Sequence, residues 1–202
     1  MESKTTSPDR IYRSPAGIAG GVVLLVIGAW LGFDAVVSGD GRTPWLALAG
    51  LLFAVPLVIA FTIRPAVYGN DDRLRIRNPF RVITLPWAAV GGFRSSYSNE
   101  VLDQQGAKYQ LWSIPVSLRA RRKAQRSQMR AETKAARNPS ATPEPPAPRP
   151  SADQAMNELR ELCEARARAT TSQGEPTVRW AYEIIAPAIA GAVLLVIVAA
   201  LG

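Results

Sequence analysis

Residues 64–87 read RPAVYGNDDRLRIRNPFRVITLPW. Val67 and Tyr68 favour an extended chain, and Gly69-Asn70-Asp71-Asp72 is a turn signal. From Arg73 to Arg77 the residues alternate strictly, with Leu74 and Ile76 on one face and Arg73, Arg75 and Arg77 on the other. That period of two describes a half-buried strand. Asn78-Pro79 is a second turn, Phe80 to Leu85 a second β-rich run, and Pro86-Trp87 ends it. Further candidate strands run from Val90 to Tyr97, Glu100 to Leu102 and Lys108 to Ile114, with Gly91-Gly92 and Gln104-Gln105-Gly106 between them. About six short strands predict a small antiparallel sheet or partly closed barrel over residues 64–117. Its candidate core is Leu74, Ile76, Trp87, Tyr109 and Leu111.

Both sides of this domain are apolar. Residues 16–37, 45–63 and 181–201 form three blocks with almost no charge. A hydrocarbon core needs about 20 helical residues, and backbone inside lipid must bond to itself, so each block is expected to be a transmembrane helix. Pro56 and Pro187 remove backbone donors inside the second and third blocks, as prolines in membrane helices commonly do. Gly17, Gly20, Gly21 and Gly28, with Gly191, permit close helix approach. Trp30, Trp45 and Trp180 fall where an aromatic belt is expected. Asp34 and Glu183 lie near block ends, which suits contact with interfacial water better than a proton relay. The first block is longer than a signal-peptide core and has no clear cleavage site after it.

The net charge is +8, and 20 of the 24 basic residues lie from Arg64 to Arg179. Three more, Lys4, Arg10 and Arg13, precede the first block, whereas the loop at residues 38–44 carries only Arg42. The positive-inside rule therefore predicts a cytoplasmic tail over residues 1–15, an extracytoplasmic loop at 38–44, a cytoplasmic segment over 64–180 and an outer carboxyl end.

Residues 118–137 predict a basic helix. Arg119, Arg122, Arg126 and Arg130 recur every three or four positions and share one face. Residues 138–150 hold six prolines and read as a semi-rigid linker. Residues 151–169 predict an amphipathic helix with Met156, Leu159 and Cys163 on one stripe, and 170–180 a linker into the third block. Cys163 suits packing better than thiol chemistry.

The chain has no histidine and one cysteine. Serine–histidine, cysteine–histidine and histidine–metal chemistry are thereby excluded, as is a disulfide within the chain. Asp71-Asp72 are paired carboxylates, but a turn explains them. No enzyme activity, cofactor or metal site is expected.

The stretch from Arg64 to Trp87, with its Leu85-Pro86-Trp87 step, and the later run from Lys108 to Ser117 resemble the membrane-tethered bacterial PH (pleckstrin-homology-like) domain proteins, actinobacterial type. The resemblance spans roughly residues 10 to 120. It implies a PH-like barrel capped by a helix, here the basic one. It does not imply phosphoinositide binding, because Asn70-Asp71-Asp72 would repel a phosphate at the first hairpin. Residues 64–117 are also few for seven strands, so that one strand is either missing or supplied by a partner. The expected function is a non-enzymatic adaptor, held on the lipid bilayer, that meets an unidentified protein partner and anionic lipid headgroups. Arg73, Arg75, Arg77, Arg81, Arg119, Arg122, Arg126 and Arg130 are the candidate contacts. A subunit role in a larger membrane complex is the alternative. Nucleic-acid binding through residues 119–137 is disfavoured, since that helix lacks interleaved aromatics.

Overall fold

The computed structural model describes residues 7–116, Arg126, Met129 and residues 151–201. The basic helix expected over 118–137 and the linker over 138–150 lie outside these residues, except that Arg126 and Met129 are helical and exposed.

Three helices are long and apolar enough to cross a membrane, at Pro15–Val37, Thr43–Ile63 and Tyr182–Ala200. The first is α1, with Ser14 as its N-cap: the hydroxyl accepts from the Gly17 amide at 3.1 Å, and Pro15 supplies a pre-set first turn. The second comprises α2 (Thr43–Val58) and a π-helical turn, Ile59–Ile63, just after Pro56. A wide turn there accommodates a ladder that a proline has interrupted. Helix α2 packs against α1 on one side and the third span on the other. Two of the glycines sit at close contacts between helices. A Cβ at Gly21 would strike the Thr62 side chain, and one at Gly191 would strike the Phe53 backbone, whereas Gly20 faces open space.

Strand β1 (Arg10–Tyr12) precedes α1. Strands β2 (Ala66–Gly69), β3 (Arg73–Arg77) and β4 (Arg81–Pro86) follow α2. Then come β5 (Val90–Ser95), β6 (Asn99–Asp103) and β7 (Lys108–Gln110). Helix α3 (Ser151–Arg166) and strand β8 (Thr177–Trp180) lead to the third span, α4 (Tyr182–Ala200). All pairing is antiparallel, in sheets ordered β1-β2-β3-β4-β8 and β5-β6-β7, and the two do not join into a closed barrel.

These facts correct one expectation. The strand thought missing or borrowed comes from this chain: β1 lies in the segment read as a tail, and β8 in the segment read as a linker. Helix α3 lies on the core; the basic helix expected to cap it falls outside the described residues. Ala155, Met156 and Leu159 of α3 are buried among Val67, Leu74, Ile76, Ile83, Leu85, Trp87, Val101 and Leu111. Tyr109 and Cys163 pack partly buried at the edge of this cluster. Burial pushes the Cys163 thiol up, with help from Glu164, in keeping with a packing role.

The turn between β2 and β3 ties the far end together. The Asn70 side-chain carbonyl accepts from the Asp72 and Arg73 amides at 3.0 and 2.9 Å, and its main-chain carbonyl accepts from Trp87 Nε1 at 2.7 Å. The Ser7 hydroxyl accepts from the Asp71 amide at 2.9 Å, and Arg166 pairs with the Asp71 carboxylate at 2.8 Å. Both chain flanks thus reach the turn that the sequence marked by its acidic pair.

Leu159 is fully buried. Its replacement by alanine is expected to cost about 2–5 kcal/mol. Thermal unfolding of the detergent-solubilised chain measures this, and a loss below about 1 kcal/mol would show that α3 does not close the core. A fragment limited to residues 64–139 lacks β1, α3 and β8, and is expected to give no cooperative unfolding transition by circular dichroism.

Candidate interaction surface

The alternation of β3 sets the surface. Leu74 and Ile76 turn inward, so Arg73, Arg75 and Arg77 stand together on the outer face of the five-stranded sheet. Register adds their neighbours. Arg75 lies between Tyr68 of β2 and Thr84 of β4, and Arg77 between Ala66 and Val82. Val82 in turn pairs with Arg179 of β8, so Arg77 and Arg179 share one row of one face. Arg81 does not join them. It has the parity of the inward Ile83 and Leu85 and projects, exposed, from the other face near Tyr109. Burial and the Asp103 carboxylate push the Tyr109 phenol up, and Arg81 pulls it back in part. Of the other candidates, Arg119, Arg122 and Arg130 lie outside the described residues.

Tyr68 organises the outer face. The Arg75 guanidinium lies over its ring at 4.4 Å from the centroid, a cation–π distance. Its hydroxyl accepts from Arg13 at 3.2 Å and from Arg77 at 3.4 Å. Burial pushes this phenol up, but the two guanidiniums outweigh it and bring it below its ordinary value. Arg75 also pairs with Asp9 at 3.0 Å, so part of its charge is met within the domain. The sequence reading found Arg75 and Arg77 by alternation. It missed Arg13, because 55 positions separate that residue from Tyr68 and only the β1–β2 pairing joins them.

A second charge cluster lies where the domain meets the helices. Arg64 follows the π-helical turn and is buried, its side chain only 6% exposed. It pairs with Glu183 of α4 at 3.1 Å, and its Nε donates to the Asn78 carbonyl at 3.3 Å. Arg179 approaches the same carboxylate at 3.9 Å. One guanidinium thus holds the end of α2, the β3–β4 turn and the start of α4. Phe61 packs edge-on against Phe80 and Trp112, with centroids 5.3 and 5.5 Å away, and closes the joint on another side. Among the described residues no cluster of acidic, histidine or cysteine side chains is arranged to hold a metal.

Glu183→Gln keeps the shape of the joint and removes its charge. It is expected to lower stability by about 1–3 kcal/mol, because Arg64 stays buried with a neutral partner. In the Arg64→Met background the same change is expected to cost far less, and a double-mutant cycle read by thermal unfolding checks the coupling. Tyr12, at the edge strand β1, donates to Glu158 of α3 at 2.8 Å. Burial first, and then that carboxylate, hold its phenol up at about 12. The contribution of this neutral phenol is therefore complete below pH 10, the ordinary phenol value, and fades as the pH rises toward 12. Glu158→Gln is expected to lower the Tyr12 transition without returning it fully to 10, because burial remains. Tyrosinate absorbance against pH, with Tyr12→Phe identifying the transition, measures this.

No curated protein and no solved structure matches the chain. A family model does: residues 64–139 match the one described as bacterial PH domain. The match covers β2 through β7, the strands on which the outer arginines and the core are built. Residues 64–139, with their antiparallel sheets, are thus similar to a bacterial PH domain.

Proposed function

We propose that the chain is a membrane-anchored adaptor whose PH domain is held at the inner face of a cell membrane to receive a protein partner. One observation carries this reading: the sheet runs almost without a break into each apolar helix. Arg13 and Ser14 separate β1 from α1, Arg64 and Pro65 separate the π-helical turn from β2, and Ala181 separates β8 from α4. A domain tied so closely at three points has little freedom to swing away from the surface. The pairing of β1 with β2 also brings both ends of the α1–α2 hairpin to one level, in agreement with a single side for residues 7–13 and 64–180. Arginine density argues that this side is the cytoplasmic one. The described residues offer no constellation for catalysis, and a PH domain suits an interaction role.

An alternative is that the three helices make the chain a subunit of a larger membrane complex. Their outward faces favour it, since Val23, Phe33, Ile189 and Val196 are all more than half exposed. Binding of nucleic acid through residues 119–137 has no support from the described residues.

Alkaline carbonate is expected to leave the chain in the vesicle pellet, and release into the supernatant would end the anchoring. For sidedness, Gln105→Cys in a Cys163→Ser background places one thiol on the exposed β6–β7 turn. A membrane-impermeant maleimide is expected to label it in inverted vesicles but not in intact spheroplasts; the reverse pattern overturns the orientation. Crosslinking in native membranes, with and without the outer-face change Arg75→Glu, tests the adaptor role. The expected result is a crosslinked protein that this change removes.

A further inference from the structure

We infer that Arg13 and Arg77, which meet on the Tyr68 hydroxyl, form a seat for the phosphate of an anionic phospholipid headgroup, with Arg179 farther along the same cross-strand row. The inference rests on the membrane-apposed reading above and adds a ligand class and a place for it.

The first argument is electrostatic. Two guanidiniums, from β3 and from the residue after β1, converge on one phenolic oxygen. Like charges so close repel, and a phenol offers them only a dipole. Among the described residues neither Arg13 nor Arg77 has a carboxylate partner; Asp9 serves Arg75, and Glu183 lies nearer Arg64 than Arg179. A phosphate has the oxygens to bridge two planar donor forks so placed.

The second argument is position. Ala66, Arg77, Val82 and Arg179 form one cross-strand row, and it is the row beside the helix ends. Arg13 stands two positions before α1, and Arg179 three before α4. Trp180 and Tyr182, both at least half exposed, flank Arg179 as interfacial aromatics do. The row therefore lies at the level of lipid phosphates, whereas Arg75 and Arg73 are progressively farther up β3. A headgroup reaches Arg77 before it reaches Arg73. Each arginine so placed near an anionic surface contributes about 1 kcal/mol, a factor of about five in retention.

The test uses the full chain in detergent, incubated with equal amounts of phosphatidylglycerol and phosphatidylcholine and read by native mass spectrometry. The wild type is expected to retain phosphatidylglycerol in preference. Arg77→Gln is expected to cut that preference about fivefold, and Arg13→Gln with Arg77→Gln more deeply. Arg77→Lys, which keeps the charge, is expected to retain most of it, so loss through misfolding is separated from loss of the seat. Arg73→Gln is expected to change nothing. Equal retention of the two lipids by the wild type overturns the inference. So does an equal fall in Arg73→Gln, which would mean diffuse charge rather than a seat. An excess of inorganic phosphate that displaces the lipid would overturn the lipid assignment in favour of a free anion. If the chain resists carbonate yet shows no lipid preference, this inference fails while the anchored reading stands.

Discussion

The whole architecture depends on where the backbone hydrogen bonds go at the boundary between sheet and helix. Three helices apolar enough to cross a membrane pair their backbone N–H and C=O groups within themselves, as hydrocarbon would require. The sheet takes over the pairing within two residues of each helix end that reaches the domain. Ala66 pairs with Arg77, Arg81 with Trp180, and the Ala181 amide donates to the Phe80 carbonyl at 2.8 Å. Little unpaired chain is left between the two regimes. A long flexible hinge at this level would have to bring its own partners or depend on water. The short junction is therefore the less costly solution, and it fixes the sheet relative to the helices.

That constraint explains the charge at the joint. Arg64 comes directly after an apolar helix, yet it is buried, and an unpaired buried cation is expensive. Glu183 meets it from α4, and the Asn78 carbonyl completes its coordination. The pair is worth less as raw stability than as a constraint on geometry, since the carboxylate remains about half exposed. Its geometric consequence is large. Helix α4 and the turn between β3 and β4 are both tied to the end of α2 through this one side chain.

Much of this was legible in the sequence, and what was not has a common cause. The three apolar blocks, the alternation of Arg73 to Arg77 and the Met156–Leu159 stripe are local patterns, carried by neighbours one to four positions apart. Strands β1 and β8 are three and four residues long, rich in charge or exposed on most positions, and have no period to detect. They are strands because β2 and β4 offer them open edges. Arg13 and Tyr68 likewise belong together only through that pairing. The basic run after Arg119, the more conspicuous candidate for a cap, lies outside the described residues. The core is covered by the less conspicuous α3, which supplies Met156 and Leu159.

The same reasoning accounts for the extent of the family match. Residues 64–139 contain the contiguous strands β2 to β7, but not the edge strand before α1, the helix over the core, or the strand leading into α4. The α1–α2 hairpin is an insertion between two hydrogen-bonded strands, β1 and β2. An insertion is tolerated where its two ends already lie side by side, and antiparallel neighbours provide that spacing at no added cost in chain closure. The helices therefore need not be an appendage that a soluble PH domain drags behind it. They occupy a loop position of the domain itself, and the residues flanking that loop, Arg13 on one side and Arg64 on the other, are the ones on which both charge clusters converge.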